Sequence, residues 1–137
     1  MESTTTSRMD FFPISKPFRE KVELAKDWIR RRSLKEAMMM DDKIRHIFFT
    51  ESKERKTNDA AVVETEEDTY IGFYALTPDY ADTLDTEKLA VRLLVAAYTL
   101  HFFERAPIDT ARRLAEEKGQ EILRELRKMK LREFEEN

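Results

Sequence analysis

Cysteine is absent from this 137-residue chain, and glycine is nearly absent. Without cysteine there is no disulfide, no thiolate nucleophile and no zinc site built on thiolates. Two glycines cannot furnish a phosphate-cradling loop or a dinucleotide fingerprint, and two histidines are too few for a histidine-rich metal site. We therefore expect no bound metal and no cofactor, and we identify no catalytic residue and no enzyme activity.

The chain also lacks a hydrophobic run that could cross a membrane, which takes about 20 apolar residues. Its longest such run, Leu93 to Phe103, is bracketed by Arg92 and Glu104. The start of the chain does not combine positive charge with an apolar stretch, as a signal peptide does. We expect a soluble protein that stays inside the cell or inside an assembled particle.

Charge, by contrast, is abundant, because Asp, Glu, Lys and Arg make up 39% of the residues. Together with the scarcity of heat-labile residues, this composition is typical of hyperthermophiles and their viruses. The net charge of −3 is unevenly spread: residues 1–58 carry +4, residues 59–105 carry −7 and residues 106–137 are neutral. Such a bipolar chain suits self-assembly through oppositely charged faces.

The stretch from Thr86 to Phe103 predicts the core helix. Asp85 or Thr86 can cap its first turn, and Glu87 places a carboxylate at the positive end of the helix dipole. From Leu89 onward apolar residues fall on nearly every face, which is the pattern of a helix buried all round.

Two helices are predicted before it, following an N-terminal arm with apolar residues at Phe11, Phe12 and Ile14. Ser15 and Pro17 signal the start of the first helix, and Ser33 with Glu36 forms a capping box for the second. Their apolar stripes are Phe18, Val22, Ala25 and Ile29, then Ala37, Met40, Ile44 and Ile47. This spacing predicts a bent helix pair, or one kinked helix, from about Pro17 to Phe49.

The remainder of the chain predicts a polar loop over Thr50–Asp59, a hairpin and a last helix. Residues 61–65 and 69–76 have the β-branched and aromatic content of strands, separated by an acidic turn. The last helix runs from about Ile108 to Phe134 with apolar positions Ala111, Ala115, Ile122, Leu126 and Met129. The expected class is α+β, mainly α with a small sheet, divided into an arm (1–16), a basic helical region (17–58) and an α+β core (59–137).

Basic residues are concentrated in the N-terminal region and form the candidate nucleic-acid-binding site. Arg and Lys on helices either pair with neighbouring carboxylates on a solvated face or neutralise phosphates without reading sequence. The triple Arg at the helix junction favours the second interpretation. The predicted contact residues are Arg19, Lys26, Arg30, Arg31, Arg32, Lys35, Lys43, Arg45, Lys53, Arg55 and Lys56.

The order strand, strand, helix from Asp59 to Phe103 resembles the core of the RecB-like nucleases of the CRISPR adaptation machinery. That core carries an Asp on one strand, Glu-x-Lys on the next and Gln-x-x-x-Tyr on the helix. Here Asp59 precedes the first strand, and Leu94 replaces Gln four residues before Tyr98. The second strand, TYIGFYAL, has neither acid nor Lys. Asp59 and Glu64 alone cannot hold Mg²⁺ against a phosphate, so the resemblance implies an inactive nuclease.

Together, the thermophilic composition, the basic helices and the disabled nuclease core resemble the major nucleocapsid proteins of tristromavirus-type filamentous archaeal viruses. The resemblance implies a structural virion protein that wraps linear double-stranded DNA and pairs with itself or a related coat subunit. It also implies a helical nucleocapsid beneath an envelope, formed after synthesis in the host cytoplasm, with Arg30, Arg31, Arg32 and Lys35 on phosphates.

Three other functions are alternatives, and the missing carboxylate and Lys of the second strand count against one of them, the active nuclease. A small DNA-binding transcriptional regulator would place the helix pair in a groove and use the hairpin as a wing. An active nuclease would depend on Asp59, and a protein-binding adaptor would not need the triple Arg at all. A modest overall charge counts against a protein that coats DNA, unless dense multivalent packing compensates for it.

Overall fold

The computed structural model describes residues 11–51, 58–66 and 69–128. Helices dominate and a four-stranded sheet accompanies them, which confirms the predicted mainly-α, α+β class. In chain order the elements are β1 (Phe11–Pro13), α1 (Lys16–Arg32), α2 (Leu34–Lys43), β2 (His46–Thr50), β3 (Asp59–Glu66), β4 (Thr69–Leu76), α3 (Pro78–Asp82), α4 (Thr86–Phe103) and α5 (Ile108–Lys128).

The sheet has the strand order β1-β2-β4-β3. β3 and β4 form the predicted antiparallel hairpin, with Asp59 opposite Leu76 and Glu66 opposite Thr69. β2 lies parallel to β4 on its other side, and β1 adds an antiparallel strand at the outer edge of β2. The apolar residues of the arm therefore dock on the sheet, while residues 1–10 and the turn residues 67–68 lie outside the described part of the chain.

The expected helix up to Phe49 is wrong, because α2 ends at Lys43 and the chain continues as β2. Phe49 lies among the rings of Phe12 and Phe18, at centroid distances of 5.9 and 5.3 Å. Phe48 points to the opposite face of the sheet, with its ring 5.2 Å from that of Phe73. Burying adjacent rings on opposite faces requires a strand, since successive side chains alternate only there.

The loop predicted over Thr50–Asp59 is correspondingly shorter. Thr50 closes β2 and Asp59 opens β3, so the regular strands extend into both ends of that segment. Residues 52–57, which include the predicted contact residues Lys53, Arg55 and Lys56, lie outside the described residues.

The caps predicted for the first two helices are present. The Ser15 side chain accepts a hydrogen bond from the Phe18 amide at 3.3 Å, and the Ser33 side chain accepts one from the Glu36 amide at 3.3 Å. Ser33 has an extended backbone, which ends α1 and bends the chain into α2. The stripe Phe18, Val22, Ala25 and Ile29 is buried, as predicted.

The predicted core helix is confirmed as α4, in which eleven residues from Leu89 to Leu100 are buried. It packs against α1, α2, α5 and the two strands of the hairpin. Asp85 caps it by accepting a hydrogen bond from the Lys88 amide at 2.8 Å. Before it, Thr77 caps the short helix α3, which begins at Pro78. No described helix is long and apolar enough to span a bilayer.

The last helix, α5, packs on α4 through a seam of small residues. Ala111, Ala115 and Gly119 are buried there, followed by Ile122 and Leu126. The predicted stripe is confirmed as far as Leu126, and Met129 lies outside the described residues. A Cβ placed on Gly119 would lie 2.5 Å from Cγ2 of Val95 on α4. The two helices approach so closely at this point because Gly119 has no side chain.

Replacing Gly119 with Ala tests this close approach. The higher helix propensity of Ala favours folding by about 1 kcal/mol, and overpacking against the stiff Val95 side chain opposes it by about 1–3 kcal/mol. We expect a net loss of about 1 kcal/mol in the free energy of unfolding, measured by denaturant titration. In a Val95→Ala background the same change should be neutral or stabilising, and an equal loss in both backgrounds would refute the steric explanation.

Candidate functional site

The elements from β3 to α5 contribute to an ionic cluster, the Arg92 network, formed by Asp59, Tyr74, Arg92 and Glu116. Asp59 and Tyr74 are buried, Arg92 is partly buried and Glu116 is exposed. Arg92 lies on α4, where it is the only charged residue between Lys88 and His101. Its Nε donates to Asp59 Oδ2 at 2.8 Å and its Nη2 to Asp59 Oδ1 at 3.3 Å. Nη1 and Nη2 each donate to the Glu116 carboxylate at 3.1 Å. One guanidinium thus joins the first residue of β3 to helix α5.

Tyr74 completes the network from β4, since its hydroxyl donates to Asp59 Oδ2 at 2.7 Å. Burial, followed by the charge of Asp59, raises the pKa of Tyr74 well above its ordinary value. Burial by itself would lower the pKa of Arg92, but the hydrogen bonds to Glu116 and Asp59 outweigh it and raise that pKa. The network therefore holds a neutral phenol and a charged guanidinium around one buried carboxylate.

This geometry directs Asp59 to a structural role. Both of its carboxylate oxygens accept hydrogen bonds from Arg92. The guanidinium therefore occupies the position beside the carboxylate that a metal ion would take in a metal-binding site. Glu64 lies five residues further along β3 and so points to the opposite face of the sheet. Among the described residues, no three His, Cys, Asp or Glu side chains are grouped in a way that could hold a metal ion.

A cavity of about 430 Å³ adjoins the Arg92 network between β3, α4 and α5. Thr99 and Arg112 lie in its wall, together with Ala60 and Ala61 of β3. The Thr99 hydroxyl already donates to the Val95 carbonyl at 2.8 Å. Asp59, Tyr74, Arg92 and Glu116 also line this cavity, and their bonds to one another connect β3 and β4 with α4 and α5.

The predicted DNA-contacting residues fall into separate groups, of which the first surrounds a groove between α1 and the start of β2. We define this basic groove by Arg19, Lys26, Arg45 and His46, which line a space of about 310 Å³. Lys26 lies 3.9 Å from a carboxylate oxygen of Asp41. Within the described residues, neither Arg19 nor Arg45 has an acidic side chain within ion-pair distance, although Glu23 also lines the groove.

The triple Arg at the end of α1 does not form one patch. At 100° per residue the three side chains diverge around the helix. Arg30 and Arg31 both pair with Asp27, at 3.4 and 2.8 Å. Arg32 lies on the far flank, where it stacks 4.0 Å above the Trp28 ring and donates to the Trp28 carbonyl at 3.1 Å.

The other predicted cations differ in their availability. Lys35 is exposed on the first turn of α2 and pairs with no acidic side chain of the described chain. Lys43 is bound to the Glu104 carboxylate at the end of α4, and this bond lowers the pKa of Glu104.

Sequence reasoning did not identify Arg92, Tyr74, Glu116 or His46 as site residues. A single charge inside an otherwise apolar helix was the available signal for Arg92, because a buried charge requires a partner. Its partners were not readable, since they lie 33 and 24 residues away in the sequence. His46 was missed because its segment was predicted to be helical.

Comparison of this chain with protein-family models, with curated protein sequences and with solved structures finds no match.

Replacing Arg92 with Met tests whether the network braces the fold. The substitution leaves Asp59 buried without its cation, which costs about 3 kcal/mol in the free energy of unfolding. Adding Asp59→Asn should restore part of that loss, since the uncompensated charge is then gone. The control is Arg112→Met, an exposed cation of the same cavity, which should change stability by less than about 0.5 kcal/mol. Failure of Asp59→Asn to restore any stability would contradict the ionic explanation.

The raised pKa of Tyr74 predicts a loss of stability in alkali. Unfolded tyrosine ionises near pH ~10, whereas folded Tyr74 keeps its proton, so the stabilisation is complete below that pH and declines above it. The decline from this residue approaches about 1.4 kcal/mol per pH unit. Chemical unfolding between neutral pH and pH ~11 should show a shallower decline for Tyr74→Phe than for the wild type. Parallel pH profiles would refute the assignment.

Proposed function

We propose that this chain is a non-enzymatic DNA-packaging protein, which binds the backbone of linear double-stranded DNA through its N-terminal region. It assembles with itself or a related subunit into a helical nucleocapsid of a virion. The observation that carries the DNA-binding part is the basic groove, where cations of α1 and of the segment before β2 converge without full neutralisation by carboxylates.

The cations of the basic groove differ in their pairing from those of the neighbouring triple Arg. Arg30, Arg31 and Lys43 each have a carboxylate partner, whereas Arg19, Arg45 and Lys35 have none in the described chain. Cations that line one groove repel one another, and a polyanion that binds there relieves this repulsion. Phosphates release their condensed counterions on such contact, which supplies affinity without sequence specificity.

Backbone groups add to the groove. β1 pairs with β2 only from Phe48 to Thr50, because the chain turns away after Pro13. His46 and Ile47 therefore have no β1 partner. Because the backbone polar groups of successive strand residues point to opposite sides, one of these two residues directs its N–H and C=O away from β4, on the side of the groove. Backbone N–H groups beside Arg and Lys are common phosphate ligands in protein–DNA complexes.

The charge distribution supports assembly. Lys21 donates to the Ala81 carbonyl at 3.1 Å, which places α3 beside the flank of α1 that points away from the groove. The exposed carboxylates of Asp79, Asp82 and Asp85 lie on or next to α3. Acidic and basic surfaces thus lie on opposite flanks of α1, so neighbouring subunits can meet with complementary charge. The nucleocapsid form itself comes from the resemblance to the tristromavirus coat proteins.

The groove assignment predicts which cations carry DNA affinity. The double variant Arg19→Gln/Arg45→Gln should weaken binding to duplexes of any sequence and reduce the slope of log affinity against log salt by about 2. The matched control, Arg31→Gln/Lys43→Gln, removes the same charge from cations that are already paired. Fluorescence anisotropy over a salt series should show a clearly smaller change for this control.

Negative-stain electron microscopy of the same proteins tests packaging. Wild-type protein should form regular filaments only with linear duplex DNA, and these should dissolve as salt rises. Equal weakening by both double variants would refute the groove, and a discrete sequence-specific footprint would support a transcriptional regulator instead.

A further inference from the structure

The two edges of the sheet differ in how well they are protected. β1 forms one edge with three residues and ends in Pro13, which has no N–H to offer to another strand. β3 forms the other edge with eight residues. Short edge strands and edge prolines are common devices against unwanted strand pairing, so the β1 edge is blocked.

The β3 edge has few of these devices. It pairs with β4 in unbroken register from Asp59 to Glu66, with no bulge that would twist the edge away. The sequence DAAVVETE contains no proline and no lysine. Among the described residues no further strand lies on its outer side. A long, straight strand edge of this kind presents a row of backbone groups to another chain.

We infer that β3 pairs antiparallel with β3 of a second copy of this chain. The product is a symmetric dimer with one continuous eight-stranded sheet in which the two β3 strands are central. The inference goes beyond DNA packaging and uses none of the residues of the basic groove.

Symmetry favours a second copy as the partner. With a two-fold axis perpendicular to the sheet, both partners in the contact are the same eight-residue strand, so their lengths match. The same axis keeps the helices of both copies on one face of the sheet. Paired residues must then share a face, so the axis passes midway between the two copies of one residue. Near the middle of the strand this leaves two registers, centred on Val62 or on Val63.

Side-chain composition permits both registers. Glu64 faces Ala60 of the partner when the axis passes through Val62, and Val62 of the partner when it passes through Val63. No acidic residue of β3 lies directly opposite another in either case, so the usual penalty of like charges across strands is avoided. Asp59, at the end of the strand, is already compensated by Arg92.

The dimer is also self-limiting, because its two outer edges are then the short, proline-ended β1 strands. An isologous contact that leaves only blocked edges yields a closed pair and not an open fibre.

The absence of cysteine from the chain allows a direct test. Residues at the centre of an antiparallel pair have Cα atoms about 4.5–5.5 Å apart, within the range that a disulfide spans. One of the two variants Val62→Cys and Val63→Cys places its cysteine opposite its own copy across the axis. That variant should form a disulfide-linked dimer under mild oxidation. Pro13→Cys on the opposite edge is the matched control.

The expected result is a dimer of the unmodified protein by light scattering, and cross-linking at one of the two β3 positions at least about tenfold faster than at position 13. Circular dichroism of each variant verifies that the Val-to-Cys change leaves the fold intact. A monomer in solution would overturn the inference, as would a dimer in which neither β3 cysteine cross-links faster than the control. Because DNA affinity is measured separately, failure here leaves the groove proposal untouched.

Discussion

From Leu89 to Leu100, helix α4 has apolar residues on nearly every face, and the other elements pack around this stretch and bury it. Amphipathic helices α1, α2 and α5 each offer one apolar stripe, and the β3–β4 hairpin covers the remaining side. Arg92 is the exception on α4, since a guanidinium brought into this shell must be neutralised there. Asp59 and Glu116 do so from two of the covering elements, and the same contact that satisfies the charge also fixes where β3 begins relative to α5.

Covering a helix on all sides has a consequence for the surface. Each covering helix buries one stripe, so its many charged residues are confined to the remaining faces and meet carboxylates on the same or neighbouring helices. Several cations are paired in this way, as Arg31 is with Asp27 and Arg127 with Glu87. The basic groove differs because α1 there also faces the segment that leads from α2 into β2, and this segment contributes Arg45 and His46 but no carboxylate.

The sequence correctly predicted those elements whose start and burial depend on residues close by in the chain. The caps at Ser15, Ser33 and Asp85 and the all-apolar run of α4 were readable, since a cap or a buried face lies within one or two turns of its cause. β2 was mispredicted because Ile44 and Ile47 continue the helical spacing of Ala37 and Met40, while the competing alternation of rings depends on Phe12 and Phe73 elsewhere in the chain. The Arg92 network and the basic groove could not be predicted for the same reason, because each consists of residues that are far apart in the sequence and that only the tertiary fold brings together.

The sheet order relates the two proposals to one another. The basic groove borders β2, whereas the proposed dimer contact is at β3, two strands away across β4. In a β3-linked dimer the two β2 strands are five strand spacings apart, about 24 Å at the usual separation of hydrogen-bonded strands. The two grooves are then related by the same two-fold axis. The strands of duplex DNA are themselves related by such axes, which is why dimeric DNA-binding proteins commonly match protein symmetry to that of the duplex. A pair of modestly basic grooves held rigidly in this relation gains avidity that one groove lacks, and this offsets the low overall basicity of the chain.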